Sequence, residues 1–251
     1  MNRVSLDVAR TMAGLLLAQL APVCERVEIA GSVRRGRPMV GDLEVVAIPR
    51  TETRERQVDL FTREIETVNR LDLVLDDLVA AERVVNATAA GKKICWGPRQ
   101  KRFWMHINPR HGWLQVDLFL TVPEAWGAIF CLRTGPEAFS KALVTHFLYR
   151  TPYRQQDGGL IVKSTGCRVS VPTEEAYFDA AGLTYIPPGR RTVAELALAR
   201  RTWIRLHAPV TPDVQLESTS EPAQHPVLVN GGMTTVEWLR TRLLAAAGVA
   251  A

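Results

Sequence analysis

Apolar positions in the first part of the chain follow first a helical and then a strand-like spacing. One helix face is predicted over residues 5–20, and Pro22 ends it. That face consists of Leu6, Ala9, Ala13, Leu16 and Leu17. Short apolar runs then predict strands over residues 27–30 and 40–48, the second stopped by Pro49.

The middle of the chain is predicted to contain more helix and then more strand. Residues 53–85 are expected to be helical in two segments broken near Asn69. The second segment rests on the helical spacing of Leu71, Val74, Leu75, Leu78 and Val79. Residues 92–107 alternate loosely and predict two strands or a hairpin, and residues 113–122 predict a strong strand.

The pattern changes again after Pro123. Helices are predicted over 139–148 and 173–182, the latter capped by Thr173, with strand-like residues over 160–171 between them. A polar, proline-containing stretch over 209–226 predicts a linker, and residues 236–244 predict a last helix.

Composition narrows the class of protein only moderately. The 251 residues are 47% hydrophobic, enough for one large domain or two small ones. The formal net charge of +5 fits a polyanionic partner without establishing one. No uninterrupted apolar run approaches the roughly 18 residues of a membrane helix, so a cytoplasmic protein with no membrane partner is expected.

Three acidic residues on two predicted strands carry the most chemical information. Asp42 and Glu44 are two residues apart, so they share one face of a strand, roughly 6.6 Å from each other. Asp117 interrupts the apolar strand over 113–122. If the two strands pair at roughly 4.8 Å, the three carboxylates converge and need a cation. Oxygen ligands at this density suit two Mg²⁺ or Mn²⁺ ions.

A glycine-bounded turn precedes the first acidic pair. Gly31 permits close backbone approach, and Ser32 with the following amides can bind phosphate oxygens. Arg34 and Arg35 add charge-assisted contacts to phosphate. A solvated basic turn is the alternative reading of these residues.

The run Gly-Ser-x-Arg-Arg-Gly, four residues and then Gly-Asp-x-acid resembles the palm motif of the family X DNA polymerases. Thr134-Gly135, 17 positions after Asp117, resembles the nucleotide-binding segment of that family. Residues 172–188 resemble the end of its thumb. The resemblance covers roughly residues 20–191 and implies an α/β (α+β) fold, a palm with a mixed β-sheet flanked by helices and then a small α/β thumb-like domain.

The resemblance also implies domains and roles. Residues 1–123 would form the nucleotidyltransferase palm, 124–200 the thumb-like domain, and 201–251 a linker plus C-terminal helix of unknown role. The metal ligands and catalytic residues would be Asp42, Glu44 and Asp117. The nucleotide-binding residues would be Gly31, Ser32, Arg34, Arg35, Gly41, Arg133, Thr134 and Gly135. Two positions depart from the family pattern: Glu44 stands where the family carries Asp, and Leu132-Arg133 replace an aromatic pair.

A basic segment with interleaved aromatic residues precedes the strand of Asp117. Such segments either contact nucleic acid or form a solvated hairpin. The expected nucleic-acid contacts are Lys92, Lys93, Arg99, Lys101 and Arg102.

The resemblance thus implies a DNA polymerase of the family X type that uses a nucleoside triphosphate and a DNA primer end. The oligomeric state is left open, with a monomer favoured. Two alternatives stay open. One is a nucleotidyltransferase that acts on a small molecule, RNA or protein hydroxyl. The other is a non-catalytic nucleic-acid-binding homologue.

Overall fold

The computed structural model describes residues 3–57, 59, 63–87, 94–109 and 112–207. These belong to one compact unit, Met1–Ala208, and the predicted linker and last helix lie outside the described residues. The strands are β1 (Val4–Ser5), β2 (Cys24–Ile29), β3 (Met39–Val40), β4 (Asp42–Pro49), β5 (Thr51–Gln57), β6 (Arg63–Asn69), β7 (Val84–Val85), β8 (Gln100–Asn108), β9 (Gly112–Leu120), β10 (Tyr153–Gln156), β11 (Gly159–Val162) and β12 (Arg168–Val169). The helices are α1 (Leu6–Leu20), α2 (Gly31–Arg34), α3 (Arg70–Ala80), α4 (Trp126–Thr134), α5 (Glu137–Arg150), α6 (Glu174–Ala180) and α7 (Val193–His207).

A mixed five-stranded sheet organises the first part of the chain. Its strand order is β2-β4-β9-β8-β7, and β4 and β9 run parallel while the other pairs are antiparallel. The prediction of a mixed α/β fold with a mixed sheet flanked by helices is confirmed at this level. The finer assignment to a nucleotidyltransferase palm, and the division at residues 123 and 200, stay predictions.

The two faces of the sheet have different covers, because strand side chains alternate. On one face Leu43 and Val45 join Val116 and Leu118 in a core closed by α1 and α3. That core also takes the buried face of α1: Ala9, Met12, Ala13, Leu16 and Leu20. The helix starts at Leu6 because the Ser5 hydroxyl accepts a hydrogen bond from the Val8 amide, which confirms the predicted first helix.

The opposite face of the sheet carries the acidic residues at one end and an apolar cluster at the other. Val46 and Ile48 of β4 and Phe119 of β9 pack with Trp126 and Phe130 of α4. Glu44 and Asp117 continue the same face. Helix α4 therefore covers the apolar end of this face, next to the carboxylates.

A second core surrounds α5 and α6. Phe139, Leu143 and Phe147 of α5 pack against Tyr177 and Phe178 of α6, and the Phe147 and Tyr177 rings stack at 4.7 Å. The three-stranded sheet β10-β11-β12 lies beside it. The helices predicted over 139–148 and 173–182 are present, and Thr173 caps the latter by accepting from the Ala176 amide.

The helix predicted for residues 53–69 is wrong, because β5 and β6 form an antiparallel two-stranded ribbon there. The segment is rich in Glu and Arg, which favour helices, but it lacks an apolar stripe to bury. Oppositely charged residues instead face each other across the strands, as Arg54 does Glu66. The second predicted helical segment is confirmed as α3, which Asn69 caps.

One segment that includes α1 can be compared with a membrane helix, and the expected cytoplasmic location stays a prediction. Leu6–Val23, an 18-residue helical segment with mean hydropathy 1.2, is long and apolar enough to cross a bilayer by that measure alone. Helix α1 packs its apolar face on the sheet, as described above, so the same property also suits a core helix.

Candidate active site

The parallel pairing of β4 with β9 brings the predicted acidic residues together. Glu44 lies directly opposite Asp117, and Asp42 lies opposite Gln115, two positions along the same face. Asp117 is only 5% exposed, while Asp42 and Glu44 are half-buried. The adjacency on which the predicted carboxylate site depends is therefore present in the sheet.

The surroundings of Asp42 and Glu44 disfavour the ionised form of both carboxyl groups. Burial, and then the charge of Asp42, raises the pKa of Glu44 to about 7, and Arg35 acts in the opposite direction. Burial and the charge of Asp117 also raise the pKa of Asp42. Neither carboxyl makes a hydrogen bond or an ion pair with any residue that the structure describes. Both would gain from a bound cation.

Asp117, in contrast, is surrounded by hydrogen-bond donors. Its Oδ1 accepts from Arg102 Nε at 2.7 Å and from Gln100 Nε2 at 3.3 Å. Its Oδ2 accepts from Arg102 Nη2 at 3.1 Å and from Gln115 Nε2 at 2.9 Å. Within the described part of the chain, no three acidic, His or Cys side chains already converge in metal-ligating geometry.

The glycine-bounded turn that the sequence predicts begins in the structure as the short helix α2, which fits closely against Glu44. Gly31 has a left-handed φ of +61°, and a Cβ there would lie 2.0 Å from Glu44 Oε2. The Ser32 hydroxyl and Arg35 Nε are buried atoms without a hydrogen-bond partner among the described residues. Such orphaned donors beside a carboxylate pair are what a bound anion would satisfy.

A cleft of about 580 Å³ opens at this turn. It is strongly basic for its size, because three arginines reach it and one acid does. The charge of Arg37 lies close enough to lower the pKa of Arg35, after the larger effect of burial. The lining residues are Arg3, Ser32, Arg35, Arg37, Pro38, Met39, Gly41 and Asp42.

Arg34, predicted to contact the nucleotide, is engaged elsewhere in the structure. Its guanidinium donates to both oxygens of Glu174 at 2.8 and 2.7 Å and to Thr134 Oγ1 at 2.8 Å. Arg191, 1% exposed, also pairs with Glu174 Oε1, at 2.8 Å. Arg34 lies 3.8 Å over the Phe130 ring. This buried cluster joins α2 to α4 and α6.

Sequence reasoning missed Glu174 and Arg191 as parts of this cluster. Glu174 directly follows the helix cap Thr173, where an acidic residue is expected for reasons of helix polarity alone. Arg191 reads as one of several surface arginines. The contact between Arg34 and Glu174 spans 140 positions of sequence, and no local pattern signals it.

The predicted segment 133–135 lies at the end of α4, next to the carboxylates. Thr134 is fully buried, and its carbonyl accepts from Arg35 Nη1 at 2.5 Å. The Arg133 guanidinium lies 3.8 Å over the Phe119 ring. Partial desolvation lowers the pKa of Arg133, and the charges of Glu44 and Asp117 act in the opposite direction. At Gly135 a Cβ would meet the Phe139 ring at 2.6 Å.

The predicted nucleic-acid contacts fall in four different settings. Lys92 and Lys93 lie outside the described residues. Arg99 is exposed and pairs with Asp157 at 3.1 Å. Lys101 is 3% exposed and pairs with Asp72 at 3.2 Å, which removes it from the surface. Arg102 lies on Asp117, as described above, with about a third of its side chain exposed.

The chemistry of the three carboxylates suits a hard divalent cation, although among the described residues their side chains do not already converge on one point. Asp42, Glu44 and Asp117 supply carboxylate oxygens, which Mg²⁺ and Mn²⁺ prefer. Burial first, and then the charge of a neighbouring carboxylate, raises the pKa of Asp42 and of Glu44, and a bound cation would oppose both effects.

Fold and site together define a mixed α/β protein with a carboxylate cluster on paired parallel strands beside a basic glycine turn. No protein-family model matches the chain, and no curated protein matches it.

Proposed function

We propose that this protein is a nucleotidyltransferase of the family X DNA polymerase type. It transfers a nucleotide from a nucleoside triphosphate to a DNA 3′-hydroxyl and releases pyrophosphate. The observation that supports this most directly is the register of β4 and β9, which sets Glu44 opposite Asp117 with Asp42 on the same face.

The reaction exchanges one P–O bond for another, and the proton of the attacking hydroxyl passes to solvent. The hydroxyl oxygen attacks the α-phosphorus, the bond from that phosphorus to the bridging oxygen of the β-phosphate breaks, and the hydroxyl loses its proton. Two Mg²⁺ or Mn²⁺ ions, held by Asp42, Glu44 and Asp117, would supply Lewis-acid stabilisation of the negative charges. Asp117, the acid on β9, helps to hold the hydroxyl for deprotonation.

Some of the neighbouring residues contact the substrate, and others hold the site in place. Ser32 and Arg35 contact the phosphates, because each presents a buried donor with no partner among the described residues. Gly41 lets the chain approach the phosphates closely at the cleft wall. Arg34 and Thr134 hold the turn against α4 rather than touching the nucleotide. Gly135 bounds the space beside the nucleotide sugar.

Primer extension with a matched pair of variants tests the proposal. Wild type is compared with Asp117→Asn and with Asp76→Asn, which makes the same chemical change on the exposed side of α3. Single-stranded, recessed and gapped DNA are supplied with each nucleotide singly, in Mg²⁺ or Mn²⁺. We expect Asp117→Asn to lose at least about a hundredfold in rate, since outer-shell changes alone cost 10–100-fold, and Asp76→Asn to match wild type.

Two outcomes would overturn parts of the proposal. Equal activity in wild type and Asp117→Asn would remove the assigned site. Nucleotide binding without turnover on any acceptor would indicate the non-catalytic homologue instead.

One observation favours an acceptor other than DNA. Lys101 is buried in an ion pair and Arg99 pairs with Asp157, so two of the basic residues expected to face DNA are engaged. A nucleotidyltransferase for a small molecule, RNA or protein hydroxyl needs only the carboxylates and the turn. Incorporation of label from a nucleoside triphosphate into RNA, small molecules or protein, without any DNA extension, supports this second candidate.

A further inference from the structure

Of the three carboxylates at the candidate site, Asp117 alone has a full set of hydrogen bonds from the described residues, and Arg102 donates two of them. An ionised carboxylate offers about four lone-pair positions. Asp117 receives four donors: two from Arg102, one from Gln100 and one from Gln115. A metal ion needs some of the same lone pairs. Asp117 therefore cannot become a ligand until at least one of these donors leaves.

Arg102 is the donor best placed to leave. About a third of its side chain is exposed, whereas Gln115 is 8% exposed. It also carries the positive charge that a metal ion would replace. The charge-assisted contact is strong, because Arg102 Nε and Nη2 donate to the two oxygens of Asp117 at 2.7 and 3.1 Å.

We propose that Arg102 closes the metal site in the free protein and opens it by moving to a phosphodiester of a bound nucleic acid. The guanidinium has a planar fork that fits a phosphate as well as a carboxylate, so a nucleic-acid backbone offers it an equivalent partner. Arg102 is thus a positioning residue that couples acceptor binding to metal binding. This inference rests on the proposed function.

Binding of Mn²⁺ without nucleotide tests the coupling separately from catalysis. Free Mn²⁺ is measured by electron paramagnetic resonance in wild type, Arg102→Gln and Arg102→Lys. Arg83→Gln, at an exposed position just before β7, controls for the loss of one positive charge. Each protein is measured alone, with a short oligothymidylate, and with the same oligomer carrying neutral methylphosphonate linkages.

Wild type should bind Mn²⁺ weakly alone and roughly tenfold or more tightly with the charged oligomer, the effect expected for releasing a charge-assisted hydrogen bond. The neutral oligomer should have no effect. Arg102→Gln should bind Mn²⁺ tightly without any oligomer and show no further gain. Arg102→Lys, which keeps the charge but not the fork, should fall between them, and Arg83→Gln should behave as wild type.

Unchanged Mn²⁺ affinity in Arg102→Gln, with circular dichroism showing the native fold, would overturn the coupling. Equal tightening by the charged and neutral oligomers would overturn the role of the phosphodiester. Neither result touches the proposed function, which primer extension tests. Conversely, a protein without transferase activity could still show the Arg102 effect on Mn²⁺.

Discussion

At the scale of single residues, the site depends on a carboxyl group that resists ionisation. Glu44 has a pKa of about 7, against an ordinary value of 4.5. Between these two values the folded protein binds a proton that the unfolded chain has already released. The contribution of Glu44 to the free energy of unfolding is therefore greatest at low pH, and it is lost as the pH rises to about 7.

Metal binding should reverse this pH dependence, because only the ionised carboxylate is a good ligand. We expect Mg²⁺ to raise the melting temperature more at about pH 8 than at about pH 6. Glu44→Gln should show a smaller increase that changes less with pH. Thermal unfolding with and without Mg²⁺ at both pH values measures this, and an equal increase at both in wild type would count against the role of Glu44.

A second residue-scale prediction concerns the contact between Gly31 and Glu44. Gly31 and Gly36 both have left-handed φ values, +61° and +69°, but a Cβ at Gly36 meets nothing within 4 Å. Gly36→Ala should therefore cost only the backbone strain of about 1–2 kcal/mol. Gly31→Ala should cost more and should also weaken Mn²⁺ binding, since the new methyl displaces the Glu44 carboxylate.

Urea unfolding and Mn²⁺ titration of the two variants separate these effects. If Gly31→Ala and Gly36→Ala lower the free energy of unfolding equally and have the same Mn²⁺ affinity, the close approach of Gly31 to Glu44 has no role in placing Glu44.

At the scale of elements, the sequence predicted those that bury an apolar face. Helices α1, α3, α5 and α6 and strands β4 and β9 all carry such a pattern. The ribbon of β5 and β6 was missed because its strands are exposed throughout β5 and stabilised by cross-strand charges, which have no periodicity to detect. Helix α4 was missed because it is apolar nearly all round and short.

Helix α4 approaches the chain before α6 so closely that only glycine fits at one position. A Cβ at Gly127 would lie 1.9 Å from the Thr173 carbonyl oxygen and 2.7 Å from that of Val171. Gly127→Ala should destabilise the fold by about 1–3 kcal/mol or more, as overpacking does. Gly14→Ala, in the exposed side of α1 with nothing within 4 Å, should instead stabilise by up to about 1 kcal/mol.

Urea unfolding of the two helix variants gives both values directly. A Gly127→Ala protein as stable as Gly14→Ala would mean that α4 can move away from the Thr173 segment at little cost.

At the scale of the whole molecule, the buried cluster around Glu174 connects the short helix α2 to the second core. Burial alone would raise the pKa of Glu174, but hydrogen bonds from Arg34 and Arg191 lower it below its ordinary value. The cluster therefore contributes stability above the ordinary pKa of 4.5, and loses it as the pH falls through the lowered value.

Removing the charge of Glu174 should be costly, since it leaves two arginines without their shared partner. We expect Glu174→Gln to lower the free energy of unfolding by about 3–5 kcal/mol, the range for breaking a buried ion pair. Glu175→Gln, the same change at the exposed next position, should have an effect within about 0.5 kcal/mol. Urea unfolding at neutral pH compares them, and similar losses in both would contradict a structural role for the cluster.

The sequence could predict the site residues that stand out from their immediate neighbours. It could not predict the contacts that depend on how two strands or two distant segments pair. Asp42, Glu44 and Asp117 stand out because acids interrupt apolar strands. The partnership of Arg102 with Asp117 depends on which residues of β8 and β9 face each other, which the fold decides. The links from Arg34 to Glu174 and from Lys101 to Asp72 depend on packing between distant segments in the same way.

The parallel pairing of β4 and β9 also bears on when the site can exist. It joins segments roughly 70 residues apart in sequence, and such contacts form late because the intervening loop must first be ordered. The hairpins β5–β6 and β8–β9 can form earlier. On the ribosome, the three carboxylates therefore cannot come together until β9 has emerged. Their mutual repulsion arises only once the strands between which they lie have paired.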